Sequence, residues 1–294
     1  MTVNSSGVSA GGIEFDTSGY SLTGAAISLT SNNNSGWQAG EIRANSPAAI
    51  DAALAGSVGM TKTGTGTLTL TGVSTFDGDT AIQNGTLAVA GGSDRLPTGT
   101  AVTLGSDAAS GMLQLGDGTT SCNQTLSGLF TSGSGTSNRV VGGGSNVGTL
   151  MLGSMTGYEE YDGILGGPGT NQNNLALAME TSAIVVLTGD NSYAGGTFVD
   201  NGLLEAWQSN TALGTGTIHL GGGGLGGLAT LANPIVVSDG CIRVAGTLTL
   251  NGDISSDPSN PGALGCTNLL NDYSNAGILQ LGGDNSGYYG IFDE

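Results

Sequence analysis

The residues TKTGTGTLTLTG at 61–72 limit the fold of this chain more than any other stretch. Apolar and polar side chains alternate along it, so Leu68 and Leu70 point to one side of a strand and Thr67 and Thr69 to the other. Such short alternating bursts recur along the chain, and each ends in Gly, Asn, Asp or Ser, the pattern of a strand followed by a turn. The bursts read ISLT, LAVA, VTLG, LQLG, TIHL, TLTL and ILQL.

A strand of four residues cannot bury its apolar face alone, whereas coils stacked on one another bury it continuously. We therefore predict an all-β fold, a parallel β-helix or β-solenoid that forms a single elongated domain. Threonine is β-branched and polar, so we place the threonines on the outer face. Gly64 and Gly66, just before the leucines, indicate a tight corner. The predicted interior residues are Leu68, Leu70, Leu87, Val89, Leu204, Leu248, Leu250, Leu279 and Leu281.

One segment carries weak helix signals. In SPAAIDAALAGS, at 46–57, Ser46 is a candidate cap, Pro47 takes the first helical position and Gly56 stands near the end. A helix of one or two turns and an alanine-rich strand with a loop are equally compatible with this segment.

The bursts also repeat on a longer scale. Gly72 and Phe76 in the copy that contains LTLTG correspond to Gly189 and Tyr193, 117 residues later, in the copy that contains VVLTG. That separation is about five coils of ~20–25 residues. We interpret 1–294 as one β-solenoid segment whose repeat copies start near 61, 180 and 276, the last of them truncated.

These residues resemble the passenger-associated transport repeat, also called the autotransporter-associated β-strand repeat. Its pattern runs roughly K-T-G-x-G-T-L-x-L-T-G, then an aromatic residue, then an N-G-x-L step. The second copy departs from the pattern at METSAIVVLTG and then rejoins it. The matching residues include Lys62, Thr63, Gly64, Gly66, Thr67, Leu68, Leu70, Thr71, Gly72, Phe76, Gly78, Thr80, Asn84, Gly85 and Leu87, and later Gly189, Asn191, Tyr193, Gly195, Thr197, Asn201 and Gly202.

The resemblance implies a right-handed parallel β-helix in the exported part of a large surface protein of a Gram-negative-type bacterium. It implies an extracellular or cell-surface location, secreted or anchored at the outer membrane. The role that it implies is a structural or adhesive one, as a stalk or interaction scaffold.

The charge of the chain limits the classes of partner that it can bind, because it has 23 acidic and five basic residues and a formal net charge of -18. The bases Arg43, Lys62, Arg95, Arg139 and Arg243 are scattered singly, whereas phosphate binding needs clusters of them. We therefore expect no nucleic-acid partner. No stretch approaches the ~20 apolar residues of a membrane helix, so we expect no direct membrane insertion of this segment.

The three cysteines, Cys122, Cys241 and Cys266, do not make a complete disulfide framework. Cys241 and Cys266 lie 25 residues apart, about one coil, so stacking could pair them. The alternative is that they are unpaired small buried residues. With no CxxC and one histidine, we expect no metal site and no cofactor.

One stretch, YEEYDG, is a candidate ligand site. Glu159, Glu160 and Asp162, flanked by Tyr158 and Tyr161, form the densest acidic group and have the chemistry to bind a sugar or Ca²⁺. A solvated loop explains the same residues and is the interpretation that we favour. The other acids lie mostly in Asp-Gly and Asp-Asn turns, where an aspartate bonds its own backbone.

We assign no catalytic residue and predict that the chain is not an enzyme. His219 alternates with Ile218 and Leu220, so we expect it on the outer surface without a catalytic partner.

Two alternatives stay open, a carbohydrate-active β-helix enzyme and a self-assembling extracellular fibre subunit. An ice-binding face of threonines is a weaker rival, because the threonine rows do not recur on consecutive coils. The expected partners are a host surface, a polysaccharide or a neighbouring subunit, with end-to-end self-association at open solenoid ends.

Overall fold

The computed structural model describes residues 1–31, 36–242, 247–257 and 278–288. These residues form β-strands joined by turns, and no α-helix occurs among them. The first strands are β1 (Thr2–Val3), β2 (Val8–Ala10), β3 (Gly12–Phe15), β4 (Tyr20–Gly24), β5 (Ile27–Leu29), β6 (Glu41–Ala44), β7 (Ala48–Ile50), β8 (Leu54–Gly56), β9 (Met60–Thr63), β10 (Thr67–Leu70), β11 (Thr80–Ile82), β12 (Gly85–Val89), β13 (Ala101–Leu104), β14 (Gly111–Leu115) and β15 (Gln124–Leu126).

The later strands are β16 (Gly128–Thr131), β17 (Arg139–Gly142), β18 (Gly148–Gly153), β19 (Tyr158–Tyr161), β20 (Ile164–Leu165), β21 (Leu175–Leu187), β22 (Thr197–Trp207), β23 (Ile218–Leu220), β24 (Gly224–Leu228), β25 (Thr230–Leu231), β26 (Ile235–Val237), β27 (Cys241–Ile242), β28 (Thr247–Leu250), β29 (Ile254–Ser256) and β30 (Ile278–Leu281).

Each ladder between the described strands is parallel, and neighbours in a sheet come from successive coils. An eight-stranded sheet has the order β1-β4-β7-β10-β12-β14-β17-β20, and a six-stranded sheet has the order β16-β13-β11-β9-β6-β3. A ten-stranded sheet continues with strands from β15 to β29. Coil length varies, since Leu68 pairs with Leu87 but Thr247 pairs with Ile278. This topology confirms the predicted all-β parallel solenoid.

The interior is one continuous column of apolar side chains. Leu70, for example, lies in register between Ile50 of the preceding coil and Val89 of the next. The predicted interior residues that are buried are Leu68, Leu70, Leu87, Val89, Leu204, Leu248 and Leu250. The alternation therefore identifies the inward face correctly over most of the chain.

The prediction is wrong for Leu281, which is 39% exposed, and Leu279 is only half-buried. Both residues lie on β30, which pairs with β28 on one side. Among the described residues no strand stacks on the other side of β30. The missing neighbour on that side explains the exposure of Leu281.

The predicted corner at Gly64 and Gly66 is present, because β9 ends at Thr63 and β10 begins at Thr67. Gly64 has a φ of +77°, a left-handed conformation that glycine adopts without strain. A Cβ on Gly66 would lie 2.7 Å from the backbone of Ser46 in the coil below, so only glycine fits there.

The segment 46–57 forms strands β7 and β8, so the helix alternative is wrong and the alanine-rich strand is correct. Ala48 and Ile50 pair with Leu68 and Leu70 of the next coil, and those ladder bonds override the local helix signals.

The cysteines divide into two kinds. Cys122 is free and buried, and its Sγ–H donates to the carbonyl of Val89 at 2.9 Å. Burial raises the pKa of Cys122 to about 12, so the thiol is unreactive in the folded chain. Cys241 is disulfide-bonded, so the expectation of an unpaired Cys241 is wrong. Cys266 lies outside the described residues.

Replacement of Leu70 by Asp tests the inward assignment against its neighbour Thr69. Leu70→Asp puts an unpaired carboxylate into the apolar column, so we expect a loss of at least about 3 kcal/mol in the free energy of unfolding. Thr69→Ser, on the outer face, should cost about 0.5 kcal/mol or less. Urea unfolding followed by circular dichroism measures both, and equal losses would contradict the assignment.

Candidate functional site

The stretch YEEYDG does not form a single binding face. Its first four residues are strand β19, which pairs with β21, so the favoured interpretation as a solvated loop is wrong for them. Tyr158 and Glu160 are exposed, Tyr161 is buried in the interior, and Asp162 is exposed at the turn that follows. The strand alternation therefore separates the five residues onto opposite sides of the solenoid wall.

Glu159 is the one carboxylate of this group that turns away from solvent. Its Oε2 is buried and has no hydrogen-bond partner among the described residues. Burial raises the pKa of Glu159, and a hydrogen bond from the backbone N–H of Leu129 opposes that rise only in part. The carboxylate borders an internal cavity of about 10 Å³, lined also by Leu129, Met155 and Tyr161. A cavity of this size has room for about one water molecule and for no sugar.

Asp162 borders a larger, polar groove of about 330 Å³ on the outer surface, with Thr131, Ser134 and Asn138. The hydroxyl of Thr131 donates to its carboxylate. Among the described residues, Asp162 is the one acid that lines this groove, whereas glycoside hydrolysis and Ca²⁺ binding both need several carboxylates. The described lining of the groove thus offers a single carboxylate.

Many of the remaining aspartates and asparagines hold turns or join coils. The backbone N–H groups and hydroxyls of Thr119 and Thr120 all donate to Asp117, and these bonds hold the pKa of that carboxyl well below its usual range. Asp79 instead accepts from the N–H of Ala101, one coil on, at 3.1 Å. Three similar hydrogen bonds, each from a backbone N–H to a side-chain oxygen one coil away, measure 2.8–2.9 Å. They run from Thr125 to Asp94, from Thr149 to Asn123 and from Thr230 to Asn210. Asp79 and Asp94, together with Asn123 and Asn210, thus help to join adjacent coils.

Asn191, a residue of the repeat pattern, joins three successive coils. Its buried Oδ1 accepts from the N–H of Leu165 at 2.7 Å, and its Nδ2 donates to the carbonyl of Ala212 at 2.6 Å. The equivalent residue of the first copy, Ser74, is also buried, and its hydroxyl has no hydrogen-bond partner among the described residues.

Lys62 is the residue that sequence reasoning missed most clearly. It is the only lysine of the chain, and 0% of it is exposed. Its Nζ donates to the carbonyls of Thr63 at 2.9 Å and Gly64 at 2.7 Å, at the corner after β9, and to that of Asn84 in the next coil at 2.9 Å. An ammonium group has three N–H donors, so all of them are used.

The Lys62 ammonium therefore joins the corners of two coils from inside the solenoid. Burial lowers the pKa of Lys62 to about 8, which leaves the group protonated at neutral pH. The alternation contained the signal for this position, because Lys62 stands two residues after the buried Met60. In the second copy the equivalent residue is Met179, which is also buried but donates no hydrogen bond.

The aromatic residue of the repeat is buried in both copies, as Phe76 and Tyr193. The Tyr193 hydroxyl and the Thr197 hydroxyl are 2.7 Å apart, so the polar end of the ring is satisfied inside. Thr80, the equivalent of Thr197, instead bonds Thr100 of the next coil at 3.1 Å. These contacts are all within the scaffold.

His219 lies on β23 with its ring on the outer face, as predicted, but it has an aromatic partner. Phe198 of the preceding coil stacks on it, with the ring centroids 4.7 Å apart and the ring planes 5° from parallel. No acid or nucleophile takes part in this pair.

The described ranges contain no group of three or more His, Cys, Asp or Glu side chains placed to hold a metal ion. In the same part of the chain no helix is long and apolar enough to cross a membrane.

Lys62→Met, which copies Met179, tests the buried ammonium. The unfolded lysine keeps its proton up to a pKa near 10.5, and the folded one loses it near 8, so the unfolded state binds more protons between these values. The free energy of unfolding of the wild type should therefore rise relative to Lys62→Met by about 1–3 kcal/mol as the pH increases through this window. Subtracting the variant cancels the titration of buried tyrosines. A difference that is flat or falls with pH would contradict the burial of Lys62.

Comparison with known proteins bears on the repeat. A curated relative, the adhesin BmaC autotransporter of Brucella suis biovar 1 (strain 1330), is 28% identical over 323 aligned residues. The alignment covers 97% of this chain, and the chain spans only 8% of the length of that relative. No solved structure matches the chain significantly. The family model of the passenger-associated-transport-repeat matches residues 60–89 and 182–206. These two ranges are therefore passenger-associated-transport-repeats, which confirms the resemblance that the sequence predicts.

Proposed function

We propose that this chain is a non-enzymatic β-solenoid segment of a large exported bacterial surface protein, in which it acts as a stalk or interaction scaffold. The observation that carries the proposal is that several polar side chains form hydrogen bonds to neighbouring coils. Lys62, Asn191, Asp79 and Asp94 all bond the backbone of an adjacent coil. Polar side chains that bond adjacent coils stabilise the stack of coils, and such a stack is suited to act as an extended stalk that presents its outer face.

Two further observations support the location that we propose for the segment. Its repeats and its similarity to an autotransporter adhesin support the surface of a Gram-negative bacterium. The disulfide at Cys241 supports an oxidising compartment, because structural disulfides are rare in the reducing cytosol. The formal charge of -18 favours a soluble, exposed segment and partners other than nucleic acid.

Adhesion through this segment would use the outer face of the coils, with a host surface, a polysaccharide or a neighbouring subunit as partner. The carbohydrate-active enzyme is the second candidate, and its support is limited to Glu160 and Asp162, the exposed acids of YEEYDG. The treatment of 1–294 as one domain, with a third repeat copy near 276, stays a prediction.

A deletion of one whole coil tests the scaffold role. Leu150 pairs with Leu177, so removal of residues 150–176 joins Thr149 to Leu177 in register and eliminates Tyr158–Asp162 with the coil. We expect the shortened protein to fold, to reach the cell surface and to retain any adhesion of the parent. Protease shaving of intact cells and a cell-binding assay measure the last two.

A matched deletion of residues 150–177 removes one residue more and turns the inward face of β21 outward, so it should fail to fold. Loss of adhesion in the folded in-register deletion would assign a ligand to the removed coil. Release of sugar from a polysaccharide panel by the wild-type segment, abolished by Glu160→Gln with Asp162→Asn but not by Glu180→Gln, would overturn the non-enzymatic proposal.

A further inference from the structure

The sequence contains three Asn-Gly dipeptides, at Asn84, Asn201 and Asn251, and the first two occupy the same step of the two repeat copies. Asn-Gly is the dipeptide in which a backbone nitrogen reaches the preceding side-chain amide with least steric hindrance, because glycine has no Cβ. The structure places the three dipeptides in different surroundings, which affect how easily the glycine nitrogen can attack the asparagine side chain.

Asn201 and Gly202 lie at an irregularity between two strands. Glu180 pairs with Asn201 and Ile184 with Leu203, so three residues of β21 stand opposite Gly202 alone. The Gly202 N–H donates to Oδ1 of Asn201 itself at 2.8 Å, and Gly202 has a φ of +75°. The attacking nitrogen is thereby held beside the carboxamide carbon that carries Oδ1. Asn201 is exposed, so water reaches it.

Asn84 has the same sequence step, in a bend between β11 and β12, and Lys62 bonds its main chain. Its main-chain carbonyl accepts the 2.9 Å hydrogen bond from the buried Nζ of Lys62, and Asn84 is only half-exposed. Cyclisation draws this carbonyl carbon into a five-membered ring, which requires the peptide unit to turn. The counterpart of Lys62 in the second copy is Met179, which has no donor to restrain the carbonyl of Asn201. At Asn251 the following residue, Gly252, is buried.

We propose that Asn201 is a site of spontaneous deamidation that Lys62 suppresses at the equivalent Asn84. The Gly202 nitrogen forms a bond to Cγ of Asn201, the Cγ–Nδ2 bond breaks, and ammonia leaves with the proton from Gly202. Water then opens the cyclic imide. Cleavage at Cγ gives aspartate, and cleavage at the main-chain carbonyl gives isoaspartate with one extra methylene in the backbone.

The product changes the solenoid at the irregularity between β21 and β22, where coils are closely stacked. A Cβ on Gly202 would lie 2.3 Å from the carbonyl oxygen of Thr181, so the backbone beside this step is closely packed. The register between β21 and β22 would have to shift, and a new carboxylate would join a surface that is already acidic. The modification therefore marks aged molecules at one coil of the stack.

Peptide mapping by mass spectrometry after prolonged incubation of the folded protein at neutral pH tests the proposal. Chromatography separates the aspartyl and isoaspartyl products of each Asn-Gly peptide. We expect Asn201 to convert several-fold faster than Asn84 and Asn251 in the folded protein, and the three rates to converge in urea. Asn201→Gln should remove the fast component.

Lys62→Met supplies the decisive comparison, because it gives the first copy the side chain of the second. In the folded variant Asn84 should convert several-fold faster than in the wild type, with Asn201 unchanged. Equal rates at Asn84 and Asn201 in the folded wild type, or an absence of conversion at Asn201, would overturn the proposal. An unchanged Asn84 in folded Lys62→Met would overturn the role of Lys62, and if that variant unfolds, the wild-type comparison decides alone.

Discussion

The rest of the structure depends on the hydrogen-bonded ladder between successive coils. Each described strand pairs in parallel with strands of adjacent coils, so a coil has few backbone partners of its own. The ladder fixes the register, and the register decides which side chains share the interior. Ile50, Leu70 and Val89 form one such column. A slip of one residue would turn every side chain of a strand to the opposite face.

The same constraint explains the polar residues of the interior. A parallel coil must turn corners, and at corners the carbonyls leave the ladder and need donors. Lys62 supplies three donors to the corners of two adjacent coils, and Asn191 supplies a donor and an acceptor between three coils. At the second copy Met179 fills the volume of Lys62 without its hydrogen bonds. The two copies thus have side chains of similar size at this position, but only the lysine donates hydrogen bonds. The main chain of the Asn-Gly step is therefore bonded by this side chain in the first copy and not in the second.

Period-two alternation is sufficient to predict the fold class and most of the interior, because apolar side chains at alternate positions of short strands share one face and fill a column. The alternation is misleading at positions where the residue type suggests a different location from the one that the alternation gives. Lys62 obeys the alternation, but a lysine is expected outside, and the carbonyls that satisfy it come from a corner and from the next coil. Glu159 and Tyr161 belong to the stretch that the sequence predicts as a solvated loop, but pairing with β21 places them in a strand. The exposure of Leu281 depends on which strands stack beside it, which its own sequence does not specify.

Hydrogen exchange measured by mass spectrometry on the variant Leu87→Ala tests the central claim most directly. Leu87 is fully buried on β12, which pairs with β10 and β14. A stack held by nearest-neighbour ladders predicts faster exchange in β10, β12 and β14, with β23 and β26 unchanged. A uniform increase along the chain, or an increase confined to strands that do not pair with β12, would contradict the account.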